Sequence, residues 1–225
     1  MPCVVYQLGL VEYNQAYHLQ KRLLQLRLEG EIKDTLLLLE HPPTITVGKF
    51  GRFENVLASR KQLEAAGISL YFTDRGGDVT YHGFGQLVGY PIIGLRERGI
   101  SIRQYINDLE EVIIRVLGGF FINANRNQDH AGVWVKDEVV AAIGLSIKKW
   151  VSMHGFALNV NTNLNNFSLI KPCGFSDKKV TSISQLLARY VPMDVVTDKL
   201  LACFSEVFKT DIELKSGSEL VGRLF

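Results

Sequence analysis

The sequence is poor in the residues that mark special classes of protein. Three cysteines in 225 residues, an odd count without paired spacing, argue against a disulfide framework and against a zinc site. Charge of neither sign dominates: 25 Lys and Arg against 23 Asp and Glu leave a formal +2, which is no electrostatic footprint for nucleic acid. The basic pairs Arg60-Lys61 and Lys148-Lys149 read as solvated surface, with contact to an acidic protein as their other use. No apolar run approaches the ~20 residues of a membrane span. Cys3-Val-Val-Tyr6 begins strand-like, without the charged leader and apolar core of a signal peptide. Linkers, repeats and low-complexity tracts are missing too. With 47% hydrophobic residues the chain can bury a full core. The expectation is one domain over 1–225, cytoplasmic, with reduced thiols.

What the chain does have is a glycine-rich run, Arg75-Gly76-Gly77-Asp78-Val79-Thr80-Tyr81-His82-Gly83, continued by Gly85-Gln86-Leu87-Val88-Gly89-Tyr90-Pro91. Glycine lets backbone approach a ligand with no Cβ in the way and accepts positive φ. The run follows a strand-like segment, 68–74, and leads into an extended one, 86–93. It is expected as a loop between strands with Arg75 and His82 facing a substrate; as a bare pattern, a tight connection explains it equally well.

Periodicity gives a mixed α/β pattern. A first helix spans 13–29, with Ala16, Leu19, Leu23 and Leu26 on one face and Gly30 as its stop. The continuous leucines of 35–40 read as a buried strand ended by His41-Pro42-Pro43. Ser59 with Gln62 forms a capping box for a short helix closed by Gly67, and Ser101 with Gln104 opens a longer one that buries Ile102, Tyr105, Ile106, Leu109, Val112, Ile113 and Val116. Residues 132–135 and 139–147 read as a hairpin, with 151–160 continuing the sheet. Ser182 and Gln185 cap a later helix, and 194–208 is the last long one. Strands that adjoin one another, with helices interspersed irregularly, fit α+β better than a regular βαβ repeat.

The cysteines and histidines differ in setting. Cys203 falls on the stripe Val196, Leu200, Cys203, Val207 and reads as a core thiol, while Cys3 sits at a fraying end. Pro172 fixes the backbone before Cys173 and Gly174 frees it afterwards, which presents the sulfur on a turn; such a cysteine is either structural or catalytic. His82 and His154 each precede a glycine, in turns expected to be accessible, where an imidazole orients a ligand or exchanges a proton near neutral pH. His18, His41 and His130 are assigned structural roles. Asp78 either anchors Arg75 or touches substrate.

Several segments in one order carry more than any of them alone. The Arg75 run, Gly132-Val-Trp-Val135, His154-Gly155-Phe156-Ala157-Leu158-Asn159, Ile170-Lys171-Pro172-Cys173-Gly174 and Val180-Thr181-Ser182 resemble the octanoyltransferases of lipoate biosynthesis, from residue 7 to about 187. The resemblance implies the fold of biotin and lipoate protein ligases: α+β, a mixed, largely antiparallel sheet flanked by helices. It implies transfer of an octanoyl group from octanoyl-acyl carrier protein to a lysine of a lipoyl domain, in the 2-oxoacid dehydrogenases or the glycine-cleavage H protein, through a thioester on Cys173. No cofactor, metal, nucleic acid or membrane is implied, and the protein is expected to be a monomer. Arg75, Gly76, Gly77, Asp78, Val79, Thr80, Tyr81, His82, Ala142, Ile143, Gly144, His154, Gly155 and Phe156 match the segments around the acyl substrate.

A thiol suits that chemistry, because exchange between thioesters is nearly balanced and needs no ATP. A free cysteine of pKa ~8.5 is only a few per cent thiolate at neutral pH, so a neighbour must raise that fraction. Backbone N–H groups at Gly76-Gly77 or beside Gly174 are expected to hold the oxyanion. Octanoyl also requires an apolar tunnel. Ala142 and Gly144 are small enough for a chain to pass, or merely permit close packing.

Two positions depart from the family. Its members carry a lysine four residues after the Gly-Val-Trp-Val segment, thought to lower the cysteine pKa; this chain has Val139 there, and Phe84 where proline is usual. Without a bulge, Val139 shares a face with Ala141, Ile143, Leu145 and Ile147 and reads as packing. Two alternatives follow: a catalytically impaired relative that still binds acyl carrier or lipoyl-domain proteins, and an ATP-dependent lipoate or biotin-type ligase, which needs no cysteine.

Overall fold

Leu36, Leu37, Leu38 and Leu39 are all buried because the strand that carries them has both faces covered. The computed structural model describes residues 2–171, 179–217 and 219–220. Its strands are β1 (Cys3–Leu10), β2 (Thr35–Glu40), β3 (Thr44–Val47), β4 (Ser69–Phe72), β5 (Val79–His82), β6 (Gln86–Ile92), β7 (Asn125–Arg126), β8 (Gly132–Val135), β9 (Glu138–Lys148), β10 (Val151–Asn159), β11 (Lys179–Val180) and β12 (Ile212–Ser216). The helices are α1 (Tyr13–Glu29), α2 (Arg60–Ala65), α3 (Ile102–Gly118), α4 (Ile183–Leu187) and α5 (Met193–Phe208).

The large sheet runs β12-β1-β2-β6-β10-β9-β8-β7, with β11 added against β9. Pairings from β2 through β6, β10, β9 and β8 to β7 are antiparallel, whereas β1 pairs in parallel with β2 and β12. Side chains alternate along each strand. Val4, Tyr6, Leu37, Leu39, Val88 and Tyr90 meet α1 on one face; Cys3, Val5, Leu36, Leu38, Leu87 and Leu158 meet α3 and α5 on the other. Two covered faces remove the apolar-polar alternation, which explains the unbroken leucines.

Helix ends follow the sequence signals. Ser59 and Gln62 make the reciprocal capping box, Ser101 accepts from Gln104 N, and Gly30 stops α1 in the left-handed region at φ 77°. Ile102 is a correction: it opens the first turn of α3, before the stripe meets the core, and is exposed. Cys3 is another. Its strand is paired on both sides, so the thiol is fully buried and burial pushes its pKa up to about 12. Cys203 packs half-buried against the α3–α5 core, as its stripe predicts.

The glycine run is not one loop. Val79–His82 is a strand, and β4-β3-β5 form a second, three-stranded sheet with its own core of Ile45, Val47, Leu63, Ile68 and Tyr81. Among the described residues no helix is long and apolar enough to cross a membrane.

Candidate active site

A cavity opens between the small sheet and the middle of β9 and β10. Arg75 to Thr80, His82, Val139, Ala142 to Gly144 and His154 to Phe156 all border it, together with Tyr13, Gln86, Tyr90, His130, Trp134 and Asn159. Three segments distant in sequence therefore converge as their motifs imply.

Arg75 borders the cavity, with its guanidinium held within the protein. It is buried, and the loop winds around it. Nε donates to Thr46 Oγ1 at 3.1 Å, Nη1 to Gly76 O at 3.0 Å, and Nη2 to Thr46 O and Asp78 O, both at 2.7 Å. Asp78 is thus the anchor of Arg75 through its carbonyl, while its carboxylate accepts from Arg52 N at 3.0 Å and from Asn55 Nδ2. Gly76 N–H donates to Leu145 O at 2.7 Å, which fastens the loop to β9; that N–H is not open to an oxyanion. Gly77 has φ +83°, so its glycine answers a backbone demand. At Gly144 a Cβ would stand 3.0 Å from Gly76 O, and close packing of loop on strand accounts for its small size.

His82 and His154 are not accessible turn residues. Both lie in strands and are buried, His82 on β5 and His154 on β10. The amide network fixes the His82 tautomer. Asn159 Nδ2 donates to Thr181 O at 3.0 Å, so its Oδ1 accepts from Gln86 Nε2 at 2.9 Å. Gln86 Nε2 also donates to Tyr81 O at 3.1 Å, leaving Oε1 to accept from His82 Nδ1 at 2.8 Å. Nδ1 carries the proton and Nε2 is the lone pair. Burial first, and the neighbouring His41 second, hold the His82 pKa well below 6.5, so the ring is neutral.

His41 bears out its structural assignment. Nδ1 donates to Val11 O at 2.6 Å and Nε2 accepts from Tyr90 OH at 2.7 Å, with burial drawing its pKa down to about 4. Six polar aromatic rings close a circuit here: Tyr13, Tyr17, His154, Tyr90, His41 and His82, with successive centroids 5.6 to 6.4 Å apart. Tyr81, by contrast, turns away by strand alternation; it packs on Phe167 at 5.4 Å and its OH accepts from Asn166 Nδ2 at 2.7 Å.

Val139 is a further correction. Val133 pairs with Ala141 and Trp134 with Val139, so Val140 is left over as a β-bulge. One extra residue flips the faces. Val140 and Ala141 enter the α3–α5 core, and Val139 joins Ala142 and Gly144 on the cavity wall. Ile143 borders the cavity yet packs into that core, as does Phe156, whose ring lies over Gly89. Gly155 has no room for a Cβ against Gly89 O. Phe84 is exposed and nothing in the structure explains it.

Cys173 lies outside the described residues, as does Gly174. Their flanks are held at the cavity side: Lys171 N–H donates to Asn55 O at 2.7 Å, and Lys179 and Val180 pair with Glu138 and Val139. Tyr13, Tyr17 and Asp74 carried no sequence signal for the site. Gln86, Tyr90 and Asn159 stood inside the quoted motifs without being singled out, and His130 borders the cavity despite its structural assignment.

A two-faced mixed sheet with a cavity over its middle strands defines the lipoate and biotin protein ligase class of catalytic domain. The structure superposes on lipoate-protein ligase A bound with ATP at a TM-score of 0.80 and 17% identity, covering 100% of this chain and 92% of that one. Against a biotin protein ligase from Aquifex aeolicus in complex with biotin and ATP the TM-score is 0.57 at 14% identity, over 93% of this chain and 71% of that one. At such identities the likeness shows the fold alone. The sequence matches the lipoyl protein ligase A/B catalytic domain over residues 12–205, and the chain belongs to that family. The octanoyltransferase of Alkaliphilus metalliredigens is 50% identical over 209 residues, 92% of this chain and 96% of that protein. That of Caldicellulosiruptor saccharolyticus is 48% identical over 215 residues, 95% and 92% respectively.

Proposed function

We propose that this protein transfers an octanoyl group from octanoyl-acyl carrier protein to a lysine of lipoyl domains, by way of a thioester on Cys173. The observation that carries the reading is identity of 50% to an octanoyltransferase across 92% of the chain. The cavity supports it, because the matched segments meet on one wall and Val139, Ala142 and Phe156 give that wall apolar surface suited to an alkyl chain. The two described cysteines do not compete. Burial raises both thiols, Cys3 most, which disfavours the attacking thiolate. The lipoyl domains are those of 2-oxoacid dehydrogenases and the glycine-cleavage H protein, and the protein acts as a cytoplasmic monomer.

One observation favours a second reading, a catalytically impaired relative that still binds the two partner proteins. Val139 occupies the cavity wall at the position to which the resemblance assigns a lysine, and valine supplies no charge to a thiolate.

Intact mass after mixing with octanoyl-acyl carrier protein tests both. The expected result is one added octanoyl group, absent in Cys173→Ala and passed on to a lipoyl domain. Label on Cys203, or a requirement for ATP, overturns the transferase reading. Binding of both partners without labelling selects the impaired relative.

A further inference from the structure

His154 borders the cavity, and Asp74 and Tyr17 join it in a polar unit to which the acyl-transfer reading assigns no task. His154 has φ 60° in the middle of β10, a left-handed conformation that a β-strand histidine adopts only when its surroundings impose it. Its N–H donates to Gln20 Oε1 at 2.8 Å. The ring reaches Asp74, with Nε2 2.8 Å from Oδ1. A carboxylate only accepts, so Nε2 carries the proton and Nδ1 is the open lone pair of the neutral ring, with no hydrogen-bond partner among the described residues. Tyr17 OH donates to the same Oδ1 at 3.0 Å. The hydrogen bond from His154 holds Asp74 well below the usual carboxylate range, at about 2, so it stays ionised.

We infer that His154 is the proton carrier of the transfer and Asp74 its positioning residue, the pair taking a proton from the attacking lysine amine and returning it to the departing sulfur. The inference rests on the acyl-transfer reading above. Of the two buried imidazoles on the cavity, only this one has a carboxylate on its ring. His82 is enclosed by His41, His154 and Arg75, all of which oppose a proton there, and its ring partner is the neutral Gln86. His154 also meets the cations Arg75 and Lys21 and the phenols Tyr17 and Tyr90, and burial lowers its pKa; the Asp74 carboxylate opposes that shift without cancelling it.

The step balances. The lysine arrives as the neutral amine, and its nitrogen forms a bond to the thioester carbonyl carbon while the carbonyl π pair moves to oxygen. The surplus N–H proton passes to His154 Nδ1, giving an imidazolium paired with Asp74. When the tetrahedral intermediate collapses the C–S bond breaks, and Nδ1 returns the proton to sulfur. Amide, thiol and neutral imidazole remain.

Asp74→Asn in the full chain tests the assignment by two readouts. In side-chain ¹⁵N spectra, wild-type His154 is expected as the Nε2–H tautomer and His82 as Nδ1–H, and the His154 titration moves to lower pH in the variant. In single turnovers from octanoyl-acyl carrier protein to a lipoyl domain, the amine step falls ~10- to 100-fold, less than the ~10²- to 10⁴-fold that loss of the proton-transfer group itself costs. KM for the lipoyl domain is unchanged, the rate limb follows the His154 titration, and Asp74→Glu restores part of the rate. An Nδ1–H tautomer at His154, or transfer by Asp74→Asn within twofold of wild type, overturns the inference. A wild-type protein that transfers no octanoyl group overturns the acyl-transfer reading, and this role with it, whereas full transfer by Asp74→Asn overturns the inference alone.

Discussion

Val139 pairs in parallel with Val180 across β9 and β11, so it stands beside the strand that follows residues 172–178. The bulge at Val140 turns it to the cavity, and it is only half-buried, which leaves room for a longer side chain. Val139→Lys is therefore expected to place an ammonium in the cavity, raise the thiolate fraction of Cys173 and speed its alkylation at neutral pH by about 10-fold or more. Octanoyl transfer should rise with it. Alkylation rates against pH for both forms check this, with melting curves to detect a cost of burying the lysine. Wild-type alkylation already as fast as the variant's would mean that another group serves the thiol.

Arg75→Lys should act on stability before it acts on substrate. One ammonium cannot replace a guanidinium that reaches Thr46, Gly76 and Asp78 together. Leaving such buried acceptors short costs about 3 kcal/mol, roughly 10 °C in Tm for a chain of this size. An unchanged Tm with lost transfer would restore the substrate-facing role.

Gly77 separates conformation from ligand approach. At φ +83° a Cβ is strained whatever the space, so Gly77→Ala should cost ~1 to 2 kcal/mol by chemical denaturation. Gly77→Asn, better tolerated in that region, should keep most of the stability. Equal losses from both would point to crowding instead.

Stability should fall in mild acid. The folded His41 pKa is about 4, below its unfolded value of ~6.5, so the unfolded chain binds the extra proton between these limits. The stabilisation is full above pH ~6.5 and fades toward pH 4, by about 3 kcal/mol from this residue. His82 and His154 are lowered too and add in the same direction. Asp74 contributes stability that is full above its ordinary value of 3.8 and is lost as pH falls through about 2. Urea midpoints from pH 7 to pH 4 read the slope, which His41→Gln should reduce; a flat profile would contradict neutral burial.

Much of the site was legible as segments and little of it as geometry. The Arg75 run, Ala142 to Gly144 and His154 to Phe156 border one cavity, and their order along the chain sufficed to associate them. The enclosure of Arg75 was not legible, because a cation beside glycines has no local signal for it; the acceptors that hold it include Thr46, on another strand. Val139 was misread because alternation assumes an unbroken ladder, and one surplus residue inverts every face beyond it. Cys173, to which the family resemblance assigns the thioester, lies outside the described residues.

By itself the sequence determined what depends on neighbours along the chain: helix starts at Ser59 and Ser101, the stop at Gly30, the buried leucine strand, and the family written in its ordered motifs. These follow from capping, backbone freedom and periodicity, which act over a few residues. Only the tertiary structure decided which side chains meet. The tautomers of His82 and His154 are set by Gln86, Asn159 and Asp74, and the polar aromatic circuit joins α1 to β5, β6 and β10. Proton positions and charge states depend on burial and on hydrogen-bond partners remote in sequence, and those exist only once the sheets have assembled.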